Sequence, residues 1–131
     1  MRKALAGGRA ASWALAFAGA TMTPFGASAQ AKCAIEQNSF SVANGQTNRA
    51  SARTDGAACE WIYWGGATNI YESIRFVAHP AHGRLSRYTP AGFRYHPKPT
   101  YHGKDSFTVK VCGRTQGVPG CSTIIYDVTV E

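Results

Sequence analysis

Four histidines fall within a short stretch of the chain: His79, His82, His96 and His102. Each one is followed by a proline or a glycine, so we place all four in turns or at strand ends. A small β fold could gather them at one edge, and neutral imidazoles are good ligands for copper or zinc. A role in turns explains the same residues without a ligand. We therefore predict no metal and no cofactor, and keep a periplasmic transition-metal-handling protein as the alternative function.

The chain has four cysteines, Cys33, Cys59, Cys112 and Cys121. An even number in an exported domain indicates two disulfides formed in an oxidising compartment. No C-x-x-C pair is present, which argues against a structural zinc site. The spacing favours a bond between Cys112 and Cys121, closing the turn-rich segment 113–120. A bond between Cys33 and Cys59 then follows by elimination.

Catalytic motifs are missing from the sequence. It has no H-E-x-x-H, G-x-S-x-G, P-loop or dinucleotide fingerprint. A Ser–His–Asp triad could be assembled from Ser106, His102 and Asp105. Polar residues beside a turn, however, usually form hydrogen bonds that stabilise the turn. We predict that the protein is not an enzyme and has no catalytic residue.

The N-terminal segment has the order of a secretory signal peptide. Arg2, Lys3 and Arg9 precede an apolar stretch at 13–22, and small residues suited to cleavage follow at 27–31. The apolar stretch is too short to span a bilayer. We predict a cleaved signal peptide over residues 1–31, one domain over residues 32–131 and no membrane span after cleavage. The mature protein is then periplasmic or secreted.

The segments around the histidines and cysteines have a hydrophobic pattern with a period of two residues. Apolar and polar side chains alternate over 74–79, 106–111 and 124–131, which is typical of strands with one buried face. Residues 59–64 are apolar on both faces apart from Glu60, which predicts a central strand. Gly, Pro and Asn pairs separate the runs, and no segment reads as a helix of ten or more residues. We predict an all-β fold, an antiparallel β-sandwich of about seven strands.

Three phrases resemble a known family. Pro80-Ala-His-Gly-Arg-Leu85, Gly92-Phe-Arg-Tyr-His-Pro97 and the segment 101–111 are similar to the repeat unit of bacterial Ig-like and cadherin-like domains, over about residues 74–130. The resemblance implies an Ig-like sandwich and a non-catalytic surface module. It places a turn at His82-Gly83, a strand end at Pro97 and the start of the penultimate strand at Gly103.

Individual residues of these phrases have physical roles. We expect Gly83 and Gly103 to adopt backbone angles that other residues resist, and Asp105 to accept hydrogen bonds from turn amides. Many cadherin-like repeats bind calcium, but this chain has Cys112-Gly113 where an acid would stand and no Asn-Asp pair. Its acidic residues are scattered, so calcium dependence is not expected.

Charge suggests where a partner would bind. The chain carries a formal net charge of +7, with fourteen Lys and Arg against seven acids, and three of the cations lie in the predicted signal peptide. The alternation that turns Phe76, Leu85, Phe93 and Val109 inward turns their neighbours outward: Arg75, Arg84, Arg94 and Lys110. We predict a small exported binding or structural module whose basic face contacts an anionic polysaccharide, a lipid headgroup or another protein. Nucleic acid is not an expected partner.

Overall fold

The structure is a computed structural model that describes Gly19 and residues 32–131. The predicted signal peptide therefore lies outside the described residues, apart from Gly19. The described part of the chain forms eight strands and no helix. Within it, no helix is long and apolar enough to cross a bilayer. The strands are β1 (Cys33–Glu36), β2 (Thr47–Thr54), β3 (Cys59–Ile62), β4 (Asn69–Ala78), β5 (Gly83–Thr89), β6 (Gly92–Pro97), β7 (Gly103–Thr115) and β8 (Val118–Val130).

Two sheets enclose the core. One has five strands in the order β1-β2-β8-β7-β4, and the other has three in the order β3-β6-β5. The predicted all-β sandwich is thus confirmed, with eight strands rather than about seven. All pairings are antiparallel except that of β2 with β8, which is parallel. A tight hairpin cannot join two parallel strands. The chain between β2 and β8 instead passes through both sheets before it returns to pair with β2.

The prediction of a central strand over residues 59–64 is wrong. β3 ends at Ile62 and lies at the edge of its sheet, where β6 is the central strand. The two-sided apolar pattern has another cause. Trp61 is buried inside the sandwich, whereas Trp64, three residues further on, lies beyond the end of the strand and is exposed.

Aromatic rings fill the centre of the core. The Trp61 and Phe93 rings stack with centroids 5.0 Å apart, and Phe107 stacks on Tyr126 at the same 5.0 Å separation. The predicted alternation holds along β7 and β8, whose inward residues are buried: Phe107, Val109, Val111, Ile124, Tyr126, Val128 and Val130. Each large apolar side chain buried in this way stabilises the fold by about 1.5–3 kcal/mol.

Asp105 has the role predicted for it. Its carboxylate is buried and accepts hydrogen bonds from the backbone N–H groups of Ala81 at 3.1 Å and His82 at 3.2 Å. It also accepts the Tyr95 hydroxyl at 2.7 Å. One side chain thus ties the β4–β5 turn to the start of β7 and to the core.

Glycine is required at positions 83 and 103 for different structural reasons. Gly103 has a φ of 140°, a conformation that side chains resist, as predicted. Gly83 is different, because a Cβ there would lie 2.5 Å from the Tyr95 ring and 2.7 Å from the His96 carbonyl oxygen. Space, not backbone angle, therefore requires glycine at position 83.

Both predicted disulfides are present. Cys33–Cys59 joins β1 to β3 and so links the two sheets, while Cys112–Cys121 joins residues that face each other on β7 and β8. The segment 113–120 is not the loop that we predicted. The strands continue to Thr115 and from Val118, and only Gln116 and Gly117 form the turn, both with positive φ. Such two-residue turns match the twist of paired strands.

Candidate functional site

The four predicted surface cations do not share one face. Arg75 and Lys110 are direct cross-strand neighbours on β4 and β7, on the outer face of the five-stranded sheet. Arg84 and Arg94 lie on β5 and β6, on the outer face of the three-stranded sheet. The outer faces of a sandwich point in opposite directions. The inward neighbours were assigned correctly, since Phe93 and Val109 are buried and Phe76 and Leu85 pack against the core.

The four cations also differ in their partners. Arg94 forms a salt bridge with Glu60, Nε to Oε2, at 2.7 Å, and its guanidinium lies over the Tyr88 ring. The Tyr88 hydroxyl donates to the other Glu60 oxygen at 2.7 Å, and this bond together with Arg94 lowers the pKa of Glu60. The charge of Arg94 is therefore largely neutralised. Among the salt bridges of the described residues, none involves Arg75, Arg84 or Lys110.

Arg84 borders a depression that we name the basic groove. It has a volume of about 170 Å³ and is lined by Gly83, Arg84, His96, Pro97, Lys98 and Pro99. His96 Nε2 lies 3.1 Å from the Ser86 hydroxyl. Partial burial lowers the pKa of His96, and the nearby cations Arg84 and Arg94 lower it further. Since no acid lines this groove, its electrostatics favour an anion.

The histidines do not come together as a metal site. His82 stacks on Tyr101 with ring centroids 4.1 Å apart, and His79 packs edge-on against Phe76 at 6.0 Å. His96 lies on β6 and His102 lies in the segment before β7. Within residues 32–131, His, Cys, Asp and Glu side chains form no group of three or more that could hold a metal ion. Stacking and turn contacts account for His79 and His82.

A second depression, which we name the aromatic groove, was not predicted. It is lined by residues 37–40, residues 61–64 and Tyr71, and its volume is about 300 Å³. Trp64 is 80% exposed, the most exposed large hydrophobic residue of the described chain. Phe40 and Tyr71 also line the groove, with ring centroids 5.4 Å apart.

Hydrogen bonds hold the aromatic groove in shape. The Tyr63 hydroxyl bonds to that of Tyr126, which donates to Gln37 Oε1 at 2.8 Å. Burial, the largest cause, raises the pKa of both phenols well above its usual range. After Trp64 the chain turns back through a bond from the Gly66 N–H to the Asn69 carbonyl at 2.8 Å. The exposed indole thus lies just before a hydrogen-bonded turn in the chain.

The sequence contained one signal for this groove. Trp61 and Trp64 are three residues apart, so a strand that buries one of them leaves the other on the opposite face or beyond its end. The other part of the lining, residues 37–40, has no regular pattern, and only the fold brings it to the same groove as residues 61–64.

Comparison with known proteins gives no family assignment. No protein-family model matches the chain, and no curated protein matches it.

Proposed function

We propose that residues 1–31 are a cleaved signal peptide and that the remaining domain is a small non-catalytic binding module of the periplasm or cell exterior. Two disulfides favour this compartment, because such bonds persist in oxidising environments and are rare in the cytosol. The anionic partner that we propose is a polysaccharide or a lipid headgroup of the cell envelope, bound at the basic groove.

The strand order supports membership of the Ig-like and cadherin-like class. In immunoglobulin constant-type domains the B, E and D strands form part of one sheet, and C, F and G form the other. Taking β3 to β8 as B to G, the order β3-β6-β5 matches B-E-D and the order β8-β7-β4 matches G-F-C. The first strands differ, because β1 and β2 join the sheet of β7 and β8.

The observation that carries the proposal is the imbalance of charge at the basic groove. Arg84 and Lys98 border it, His96 lies between them in the lining, and no carboxylate takes part. Four other arginines of the described chain are paired with acids, Arg49 with Asp127, Arg53 with Glu131, Arg94 with Glu60 and Arg114 with Glu72, whereas Arg75 and Arg87 form no salt bridge there. An anionic group at the groove would supply the missing partner.

Two matched double variants test the proposal. Arg84→Glu with Lys98→Glu changes the basic groove, and Arg75→Glu with Lys110→Glu makes the same change of charge on the opposite sheet. Both proteins are exported as full chains and tested on polygalacturonate beads and on vesicles containing phosphatidylglycerol. We expect the first pair to abolish retention and the second to preserve most of it. Salt should weaken wild-type binding, because the Debye length falls from about 8 Å at 0.15 M to about 3 Å at 1 M.

The beads and the vesicles also distinguish a polysaccharide from a lipid headgroup as the source of the anion. Retention on the beads alone indicates a polysaccharide, and retention on the vesicles alone indicates a headgroup. Equal loss in both double variants would mean that net charge, rather than the basic groove, attracts the matrix. That result would contradict the assignment of the site.

A further inference from the structure

We propose that the aromatic groove binds a short, uncharged oligosaccharide. This inference is independent of the anionic partner proposed above, because the two grooves lie at different places on the sandwich and differ in charge. The basic groove is lined by residues 83–84 and 96–99, whereas the aromatic groove is lined by residues 37–40, 61–64 and Tyr71.

The lining of the groove selects against a charged ligand. Every residue that lines it is uncharged, although the described chain carries eleven Lys and Arg and seven acids. A charged ligand would lose hydration there without gaining an ionic partner. A neutral ligand has no ionic group to desolvate, so the uncharged lining favours it over a charged ligand.

The exposed indole supplies a stacking surface. Leaving a side chain as large as that of Trp64 at 80% exposure forgoes the free energy that burial would provide. A sugar ring presents one face of C–H groups, and a flat aromatic ring can pack against that face while the hydroxyls stay hydrated. The bond from the Gly66 N–H to the Asn69 carbonyl closes the turn that follows Trp64 in the chain.

The polar part of the lining suits hydroxyl groups. Gln37, Asn38 and Ser39 line the groove together with Trp64, and their amide and hydroxyl groups include both donors and acceptors. Gln37 accepts from Tyr126 through Oε1, which leaves its Nε2–H groups as donors. Sugar hydroxyls, which donate and accept at once, match this mixture.

The size of the groove argues against a folded protein partner. Its volume of about 300 Å³ lies at the lower end of small-molecule sites, and its nine lining residues are fewer than the roughly 20–30 residues that each side of a stable protein interface contributes. An extended peptide added to the edge of β3 is also disfavoured. β3 has only four residues, and β1 lies beside it, joined through Cys33–Cys59.

Calorimetric titration of the exported protein with chitohexaose and cellohexaose tests the inference. We expect saturable binding of at least one of them, with a dissociation constant of about 1 mM or tighter. Trp64→Ala should weaken it at least about tenfold, since the stacking surface is lost. Trp64→Tyr should retain most of the affinity. Tyr88→Ala is the matched control, because Tyr88 is an exposed aromatic residue, 40% accessible, outside the groove.

Several outcomes would overturn the inference. One is the absence of saturation by either sugar at concentrations up to about 10 mM. Another is equal weakening by Trp64→Ala and Tyr88→Ala. Saturation by an octapeptide of alternating Thr and Val, but by neither sugar, would show that the groove accepts a strand instead. Binding of polygalacturonate that Trp64→Ala leaves unchanged supports the basic groove alone, so the two proposals can fail separately.

Discussion

Asp105 is the residue on which most of the local structure converges. Its oxygens accept from the Ala81, His82 and Ser106 N–H groups and from the Tyr95 hydroxyl. Those donors come from the β4–β5 turn, β6 and β7. A buried carboxylate is costly unless it is fully hydrogen-bonded, and here each oxygen accepts two bonds.

We therefore predict that Asp105→Ala lowers the free energy of unfolding by about 3 kcal/mol or more. Each buried donor left without an acceptor costs about 1–3 kcal/mol. Urea denaturation measures the change. The control is Asp127→Ala on β8, which removes an exposed carboxylate paired with Arg49 and should cost only about 0.2–1 kcal/mol. Equal losses in the two variants would show that Asp105 does not organise the turn.

Among the structural elements, the β7–β8 hairpin and the β1–β3 link depend on different disulfides. Cys112–Cys121 spans nine positions of one hairpin that the strand ladder already closes. Cys33–Cys59 spans twenty-six positions and connects the two sheets, with Cys59 fully buried. The longer loop loses more conformational freedom in the unfolded chain when it is closed.

We predict that Cys33→Ala with Cys59→Ala destabilises the domain more than Cys112→Ala with Cys121→Ala. The chain-entropy relation gives about 3.5 kcal/mol for the first bond and about 2.5 kcal/mol for the second. Loss of packing around buried Cys59 adds to the first value. Thermal unfolding followed by circular dichroism compares the two variants with the wild type. The reverse order would mean that the hairpin, rather than the link between sheets, limits stability.

The strands β7 and β8 show which parts of the fold could be predicted from the sequence. Alternation over 106–111 and 124–130 identified β7 and β8 and their inward faces, because a period of two follows from the geometry of a strand. The glycines of 113–120 misled us. Gly113 lies inside β7, where a Cβ would come 1.9 Å from the Ile70 carbonyl oxygen. A glycine that makes room for a neighbouring backbone looks the same in sequence as one that makes a turn.

The candidate sites were less predictable than the strands. Local alternation correctly placed Arg75 and Arg84 on outer faces, but it could not say which sheet each strand would join. The aromatic groove depends on residues 37–40 meeting β3, a contact between segments that no local pattern encodes. The sheet that a strand joins is decided by the fold of the whole chain. Because β4 and β7 lie in one sheet and β5 and β6 in the other, the predicted basic face is divided between two opposite surfaces.

At the scale of the whole molecule, the core carries tyrosines that must stay neutral. Tyr95 and Tyr126 are fully buried, and Tyr63 is bonded to Tyr126. Burial is the main cause that raises the pKa of all three phenols above its ordinary value of 10.0, and the Asp105 carboxylate adds to the effect at Tyr95. Below pH 10 the folded and unfolded chains are both protonated at these residues. Above pH 10 the unfolded chain ionises and the folded chain does not.

The sign of the resulting pH dependence follows from proton uptake. Above pH 10 the native state holds more protons than the unfolded state, so stability is fully present below that pH and is lost as the pH rises. Once the phenols of the unfolded chain are ionised, about one unit above pH 10, each of the three tyrosines contributes about 1.4 kcal/mol per pH unit, or about 4 kcal/mol per pH unit together. Urea unfolding at pH 9, 10 and 11 measures the slope, and tyrosinate absorbance at the same pH values reports ionisation. Tyr63→Phe with Tyr126→Phe removes two of the three buried phenols and keeps their rings, so the slope should fall by about 2.7 kcal/mol per pH unit. If tyrosinate absorbance instead shows all six tyrosines ionised while the protein is still folded, the core is open to solvent and the prediction is wrong.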